Sequence, residues 1–130
     1  MPSARLTFLQ MLRAPLIKKG QGAPFPTSYF NSVTAVAGAV TCNSRAGLIT
    51  SEALVTAGLA AYTLTVTCDQ CDVDSIIFFS VQNGTNTQGT TDVGNYTPAT
   101  GSFVVKVNNI HASQALNGTI KLAFEIANPS

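Results

Sequence analysis

The sequence has no tryptophan, a single histidine, and only 10% charged residues, against roughly 25% in ordinary globular chains. So few charges cannot solvate a set of surface helices, and the polar surface must come from Thr, Ser and Asn, which suit strands and turns. No acidic residue precedes Glu52. No stretch approaches the roughly 20 apolar residues needed to span a membrane as a helix. No glycine-rich phosphate loop occurs, and Ser, His and Asp stand in no nucleophile-elbow or other catalytic context, so nothing points to a hydrolase or nucleotide-binding enzyme.

What is present is apolar alternation. At 130 residues and 45% hydrophobic content, the chain supports one domain with a core of its own. Tyr62, Leu64 and Val66 share one face of a run whose other face is Thr63, Thr65 and Thr67, the period of two that marks a half-buried strand. Phe103, Val105 and Val107, and later Ile120, Leu122, Phe124 and Ile126, repeat that period. Further strands are expected over Val33 to Cys42, softened by Gly38, over Leu48 to Val55, and at a short edge from Asp92 to Tyr96. Six or seven strands with turn-rich connections predict an all-β fold, a single β-sandwich or jelly-roll-like domain spanning residues 31–130.

The run Ile76 to Val81 departs from simple alternation. Ile77, Phe79 and Val81 make one apolar face, and Ile76 and Phe78 make the other apolar as well. A strand apolar on both sides needs cover on both sides. Either both faces lie inside a two-sheet sandwich, or Ile76 and Phe78 form an oligomer interface, for which a homotrimer is the favoured arrangement.

Residues 1–30 have a different texture. Four of the six prolines fall here (Pro2, Pro15, Pro24, Pro26), together with the bases Arg5, Arg13, Lys18 and Lys19. From residue 31 onward three bases face six acids, so a basic arm precedes a mildly acidic body. Leu6, Leu9 and Leu12 have the spacing of one short helix that Pro15 would end. The run is interrupted by Thr7 and Gln10 and lacks a clean small-residue cleavage site, which disfavours a secretory signal, while the acid-free start is compositionally compatible with a mitochondrial presequence. Two structural readings of the arm remain, a solvated terminus or a segment that orders on a partner. Leu6, Phe8, Leu9, Met11, Leu12, Leu16 and Ile17 favour the second, being too apolar for a plain solvated tail. Four charges without flanking aromatic platforms do not make a nucleic-acid surface.

Cys68-Asp-Gln-Cys71 has the spacing of a redox pair or half a zinc site. A thioredoxin-type pair needs a helix N-terminus to lower the thiol pKa, and this one lies between strands. Cys42, Cys68, Cys71 and His111 would complete a Cys3His set, but no motif brings them together. Unpaired turn thiols and a structural loop histidine are the expectation, with no metal and no cofactor; a local disulfide and a zinc site are the alternatives. Asn83-Gly-Thr, Asn95-Tyr-Thr and Asn117-Gly-Thr match the glycosylation sequon, and the first and last read better as Asn–Gly turns.

Several phrases carry a resemblance: Val36–Thr41, Arg45–Gly58, Ala60–Thr67, Asn83–Gly89 and Asn109–Phe124. Across Ser32 to Asn128, about three quarters of the chain, this Thr/Gly/Ala-rich strand texture resembles the head decoration or cement proteins of tailed bacteriophages, a group of small all-β virion proteins. The resemblance implies a non-enzymatic protein on the capsid surface of a virion, binding the major capsid protein and forming homotrimers, with no nucleic-acid or membrane partner. On that reading the arm anchors the protein to the shell through Arg5, Leu6, Phe8, Leu9, Leu12, Arg13, Lys18 and Lys19. A head-fibre or tail-fibre tip, binding a host surface glycan through the Asn83 to Thr91 loop, is the alternative.

Overall fold

The computed structural model describes residues 30–128. Eight strands are found among them: β1 (Phe30–Thr34), β2 (Ala39–Thr41), β3 (Ala46–Thr50), β4 (Ala61–Thr67), β5 (Ile76–Asn83), β6 (Thr91–Ala99), β7 (Ser102–Asn109) and β8 (Ile120–Ala127). They form two four-stranded sheets, ordered β1-β3-β8-β5 and β2-β4-β7-β6. Alternation decides which side of each strand meets the other sheet. Tyr62, Leu64 and Val66 of β4 are buried while Thr63, Thr65 and Thr67 are exposed. In β8 the buried set is Ile120, Leu122, Phe124 and Ile126. The fold is therefore an all-β sandwich. The β1–β3 and β2–β4 pairs are parallel, which sets it apart from a jelly-roll, an architecture of antiparallel strands.

Aromatic rings stitch the sheets together. Phe103 of β7 lies edge-on to Phe124 of β8 at 5.3 Å and to Phe79 of β5 at 5.8 Å, separations at which quadrupoles favour tilted rings. Phe79 also meets Tyr96 of β6 at 5.3 Å. The Tyr96 hydroxyl accepts a hydrogen bond of 3.2 Å from the backbone N–H of Ile77, so one sheet supplies a partner to the edge strand of the other. On β4, Tyr62 donates a 2.8 Å hydrogen bond to Glu52; burial first, and then this bond and the carboxylate charge, push the Tyr62 pKa up.

The continuous strand expected over Val33 to Cys42 is instead a hairpin that changes sheets. Val36 and Ala39 exchange backbone hydrogen bonds of 3.0 and 3.1 Å. Ala37 and Gly38 between them have φ of 52° and 77°, the two positive values of a type I′ turn. Apolar alternation continues through this turn, which is why the sequence conceals it. Leu48 to Val55 is likewise shorter than expected, because β3 ends at Thr50 and residues 51–60 run as an irregular connection.

The Asn–Gly pairs are also corrected. Neither Gly84 nor Gly118 has positive φ, so neither pair is a type I′ turn. Both glycines are required by close approach: a Cβ on Gly84 would stand 2.3 Å from Thr119 Oγ1, and one on Gly118 2.5 Å from Thr85 Oγ1. Thr85 and Thr119 each donate a backbone N–H to the other's hydroxyl at 2.9 Å, extending the β5–β8 pairing into the loops.

The inward row of β7, Phe103, Val105 and Val107, ends on a fully buried Asn109. Its Nδ2 donates to the carbonyls of Thr56 (3.1 Å) and Gln114 (2.7 Å), and its Oδ1 accepts from the N–H groups of Thr90 (3.1 Å) and His111 (3.2 Å). Asn86 performs a similar task, donating to Asn83 and Gln88 and accepting from the N–H of Asn117 at 2.8 Å.

Asn109→Ala leaves up to four backbone groups without their partner, at about 1–3 kcal/mol for each that water cannot reach, so a loss of more than about 3 kcal/mol is expected in urea unfolding. The opposite sign is expected at the hairpin. Ala37 is exposed and occupies a left-handed conformation that costs a side-chain-bearing residue about 1–2 kcal/mol. Ala37→Asn, the residue that tolerates it, should raise stability by about 0.5–1 kcal/mol in the same measurement.

Candidate functional site

The register across the first sheet assembles a surface from residues far apart in sequence. Phe30 pairs with Ala46, Ala46 with Glu125, and Glu125 with Phe78. Ile49, Phe124 and Phe79 point inward, so this row faces outward by the period of two. Its ends are apolar and exposed, Phe30 at 52% and Phe78 at 61%. The middle is small: Ala46, then Ala123 and Ser80 one row further along. Two aromatic walls over a floor of small side chains make an open trough of about 410 Å³, lined also by Glu125. Ile76, 50% exposed, stands beyond the trough opposite Ala127.

The structure thus places Ile76 and Phe78 on the outside of the sandwich, and the arrangement with both faces of β5 internal is not what the folded chain adopts. Ile77 is buried and Phe79 half-buried on the opposite side. Sequence reasoning missed Phe30 as the facing wall. No local signal reveals it, because the pairing that aligns it with Phe78 runs through two intervening strands. The arm residues Arg5, Leu6, Phe8, Leu9, Leu12, Arg13, Lys18 and Lys19 lie outside the described residues. The chain enters the described domain at Phe30, so the arm joins the sandwich at the trough wall itself.

The structure brings Cys42 and Cys68 together around Ser44, with Cys71 following in the next turn, and leaves His111 apart. Cys42, Cys68 and Cys71 are free and buried. Cys42 Sγ and Ser44 Oγ are 3.3 Å apart, Cys68 donates to the Ser44 carbonyl at 3.3 Å, and Cys71 donates to the Asp72 carbonyl at 3.6 Å. His111 lies beyond the far end of β7 from Cys68, whose N–H bonds to the Gly101 carbonyl at the near end. The eight residues of β7 separate them by roughly 25 Å at about 3.3 Å per residue. His111 Nδ1 accepts the N–H groups of Ser113 (3.1 Å) and Gln114 (3.0 Å), a turn-forming role. Among the described residues, no group of three or more His, Cys, Asp and Glu side chains could hold a metal ion.

Burial raises the Cys68 pKa above its ordinary value. As pH rises, the unfolded chain therefore releases this proton before the folded chain does. The stability contributed by the neutral buried thiol is complete below the unfolded pKa of about 8.5 and declines above it. Urea unfolding should show an alkaline loss that Cys68→Ala diminishes. At pH 8 all three thiols should resist a thiol reagent until urea unfolds the chain. Rapid labelling of the folded protein would contradict this.

No protein-family model matches the chain, and no curated protein matches it in sequence. The trough and the arm that joins it therefore carry the functional reading.

Proposed function

We propose that this chain is a non-enzymatic structural protein of a bacteriophage particle, decorating and stabilising the capsid by binding the shell of major capsid protein. The observation that carries the reading is the exposed apolar patch of Phe30, Phe78 and Ile76 on the outer face of a charge-poor sandwich, in a chain whose sequence before Phe30 is apolar and basic. A protein that acts alone in water has little use for either, whereas contiguous exposed apolar surface is characteristic of interfaces. The resemblance to decoration proteins, together with the sandwich fold, directs that interface to a virion surface.

In this proposal the arm, through Leu6, Phe8, Leu9 and Leu12 and the bases Arg5, Arg13, Lys18 and Lys19, runs over the shell, and the sandwich stays outside. Each apolar side chain buried there returns about 1.5–3 kcal/mol. Copies meet as homotrimers through Ile76 and Phe78, since closed symmetry hides the same patch on every copy. Added buried area between neighbouring capsid subunits would oppose the outward pressure of packaged DNA. No cofactor takes part.

Deleting Met1 to Gly20 removes the apolar cluster and all four bases but leaves the nine residues that precede β1. The truncated protein should keep its strand signal in circular dichroism and lose sedimentation with purified particles. Undiminished co-sedimentation of the truncated chain would exclude the arm as the anchor, and absence of binding by the full chain would exclude the capsid as the partner.

A further inference from the structure

Each sheet has one long edge strand, β5 in the first and β6 in the second. An edge exposes a row of unpaired N–H and C=O groups, and proteins blunt it with charge, proline, a bulge or brevity. β6 carries Asp92, Pro98 and a bulge between Val93 and Tyr96. The remaining edges, β1 and β2, have only five and three residues. β5 has none of these devices. It runs for eight residues without proline or glycine, in a stretch with no charge between Asp74 and Asp92. Long, uncharged and apolar on both faces, it has the composition of a segment that pairs with its own kind.

Hydrogen bonding shows which groups of β5 face the open side. The Ile77 N–H donates to the Tyr96 hydroxyl of the other sheet, and the N–H of Ile126, its partner on β8, donates to the Arg45 carbonyl at 2.7 Å. Ile77 and Ile126 are therefore a non-hydrogen-bonded pair. By the alternation of an antiparallel ladder, so are Phe79 with Phe124, Val81 with Leu122 and Asn83 with Ile120. Phe79, Val81 and Asn83 thus turn both N–H and C=O away from β8, and no described residue takes up those groups. The side chains agree. Phe79 and Val81 point into the sandwich yet stay half-buried, because among the described residues nothing closes the sandwich beside them.

We propose that β5 pairs edge to edge with β5 of a second copy, antiparallel about a two-fold axis at Val81. In that register Val81 exchanges hydrogen bonds with Val81 of the second copy, and Phe79 with Asn83, so every free N–H meets a free carbonyl. A second copy is the occupant because the edge is its own complement. The pairing sets no charge against another, and its two-fold symmetry closes the contact, so that the edge does not go on to recruit further chains. The first sheets of two copies become one continuous sheet, and each β5 covers the half-buried Phe79 and Val81 of the other. Ile77, already bonded to Tyr96, lies outside the paired stretch. Phe30, Ile76 and Phe78 stay on the outer face, so this contact is distinct from the three-fold one and does not rest on the capsid reading.

Amide hydrogen exchange of the full chain, followed by NMR, reads the pairing residue by residue. The N–H groups of Phe79, Val81 and Asn83 should be protected at millimolar protein and exchange freely at low micromolar, while that of Ile77 keeps its protection. Over the same dilution the sedimenting mass should halve. Protection of the three amides that persists on dilution would overturn the proposal, because the cover would then come from the same chain. Free exchange of all three at every concentration would overturn it as well, and would put any self-association elsewhere. The register is tested separately. It makes Ser80 and Gln82 of opposite copies direct neighbours on the outer face, and both are exposed. Ser80→Lys with Gln82→Lys sets like charges on both sides of the axis and should leave the three amides unprotected, with the strand signal in circular dichroism intact. Ser80→Lys with Gln82→Glu sets opposite charges there and should restore protection. Equal protection in the two variants would exclude pairing about Val81. Particle binding is not read in these experiments, so this proposal and the capsid reading fail separately.

Discussion

Four hydrogen bonds to one amide hold the loop end of this sandwich. Asn109 sits where the inward row of β7 runs out of apolar residues, and its side chain reaches Thr56, Thr90, His111 and Gln114. Those four belong to three separate connections, before β4, before β6 and after β7. None of the connections has regular structure to satisfy its own backbone. A buried amide is suited to the task because it offers two donors and an acceptor with two lone pairs in one plane. With the connections pinned, Leu54 and Leu116 can be buried beneath them and the core extends past the ends of the strands.

The two outer faces of the sandwich differ in kind. The second sheet turns Thr63, Thr65 and Thr67 to water along β4, with Lys106 of β7 directly across from Thr63. A threonine row satisfies water with its hydroxyls and still keeps the β-branched shape that strands favour. The first sheet turns out Phe30, Phe78 and Ile76 around small side chains. The same alternation produced both faces, so the apolar one cannot be ascribed to a shortage of polar alternatives. Phe30, at one end of it, is the first residue of β1.

Much of the architecture was legible because one period governs it. Tyr62 to Val66, Phe103 to Val107 and Ile120 to Ile126 each announce a strand and its buried side, whereas the doubled apolar character of Ile76 to Val81 showed that a second face needed cover without deciding whether it lay inside or outside the sandwich. What escaped has a common cause. The turn at Ala37 and Gly38 lacks the Asn that usually marks a left-handed position, so the chain changes sheets without a local sign. Gly84 and Gly118 look like turn glycines but answer to Thr119 and Thr85, more than thirty residues away. Phe30 becomes a trough wall only through the sequence of pairings from β1 to β5. Asn109 alone was recoverable, since extending the period of β7 by two residues places a polar side chain in the core row, where it must find partners.

The position of β8 within its sheet has a consequence for how the chain is made. β3 pairs with β1 and β8, and β5 pairs within its sheet with β8 alone. Until Ile120–Ala127 has been synthesised, the first sheet consists of a two-stranded parallel fragment and a solitary apolar strand. Neither can hold itself together, since isolated strand pairs are marginal in water. The second sheet is under no such delay, because β2, β4, β6 and β7 are complete by residue 109. On the ribosome one half of the sandwich therefore waits, with its inner face open, for a strand that arrives last. Its long-range closure makes the final step slow relative to hairpin formation, and the nascent chain depends in that interval on the solubility of its threonine-rich half.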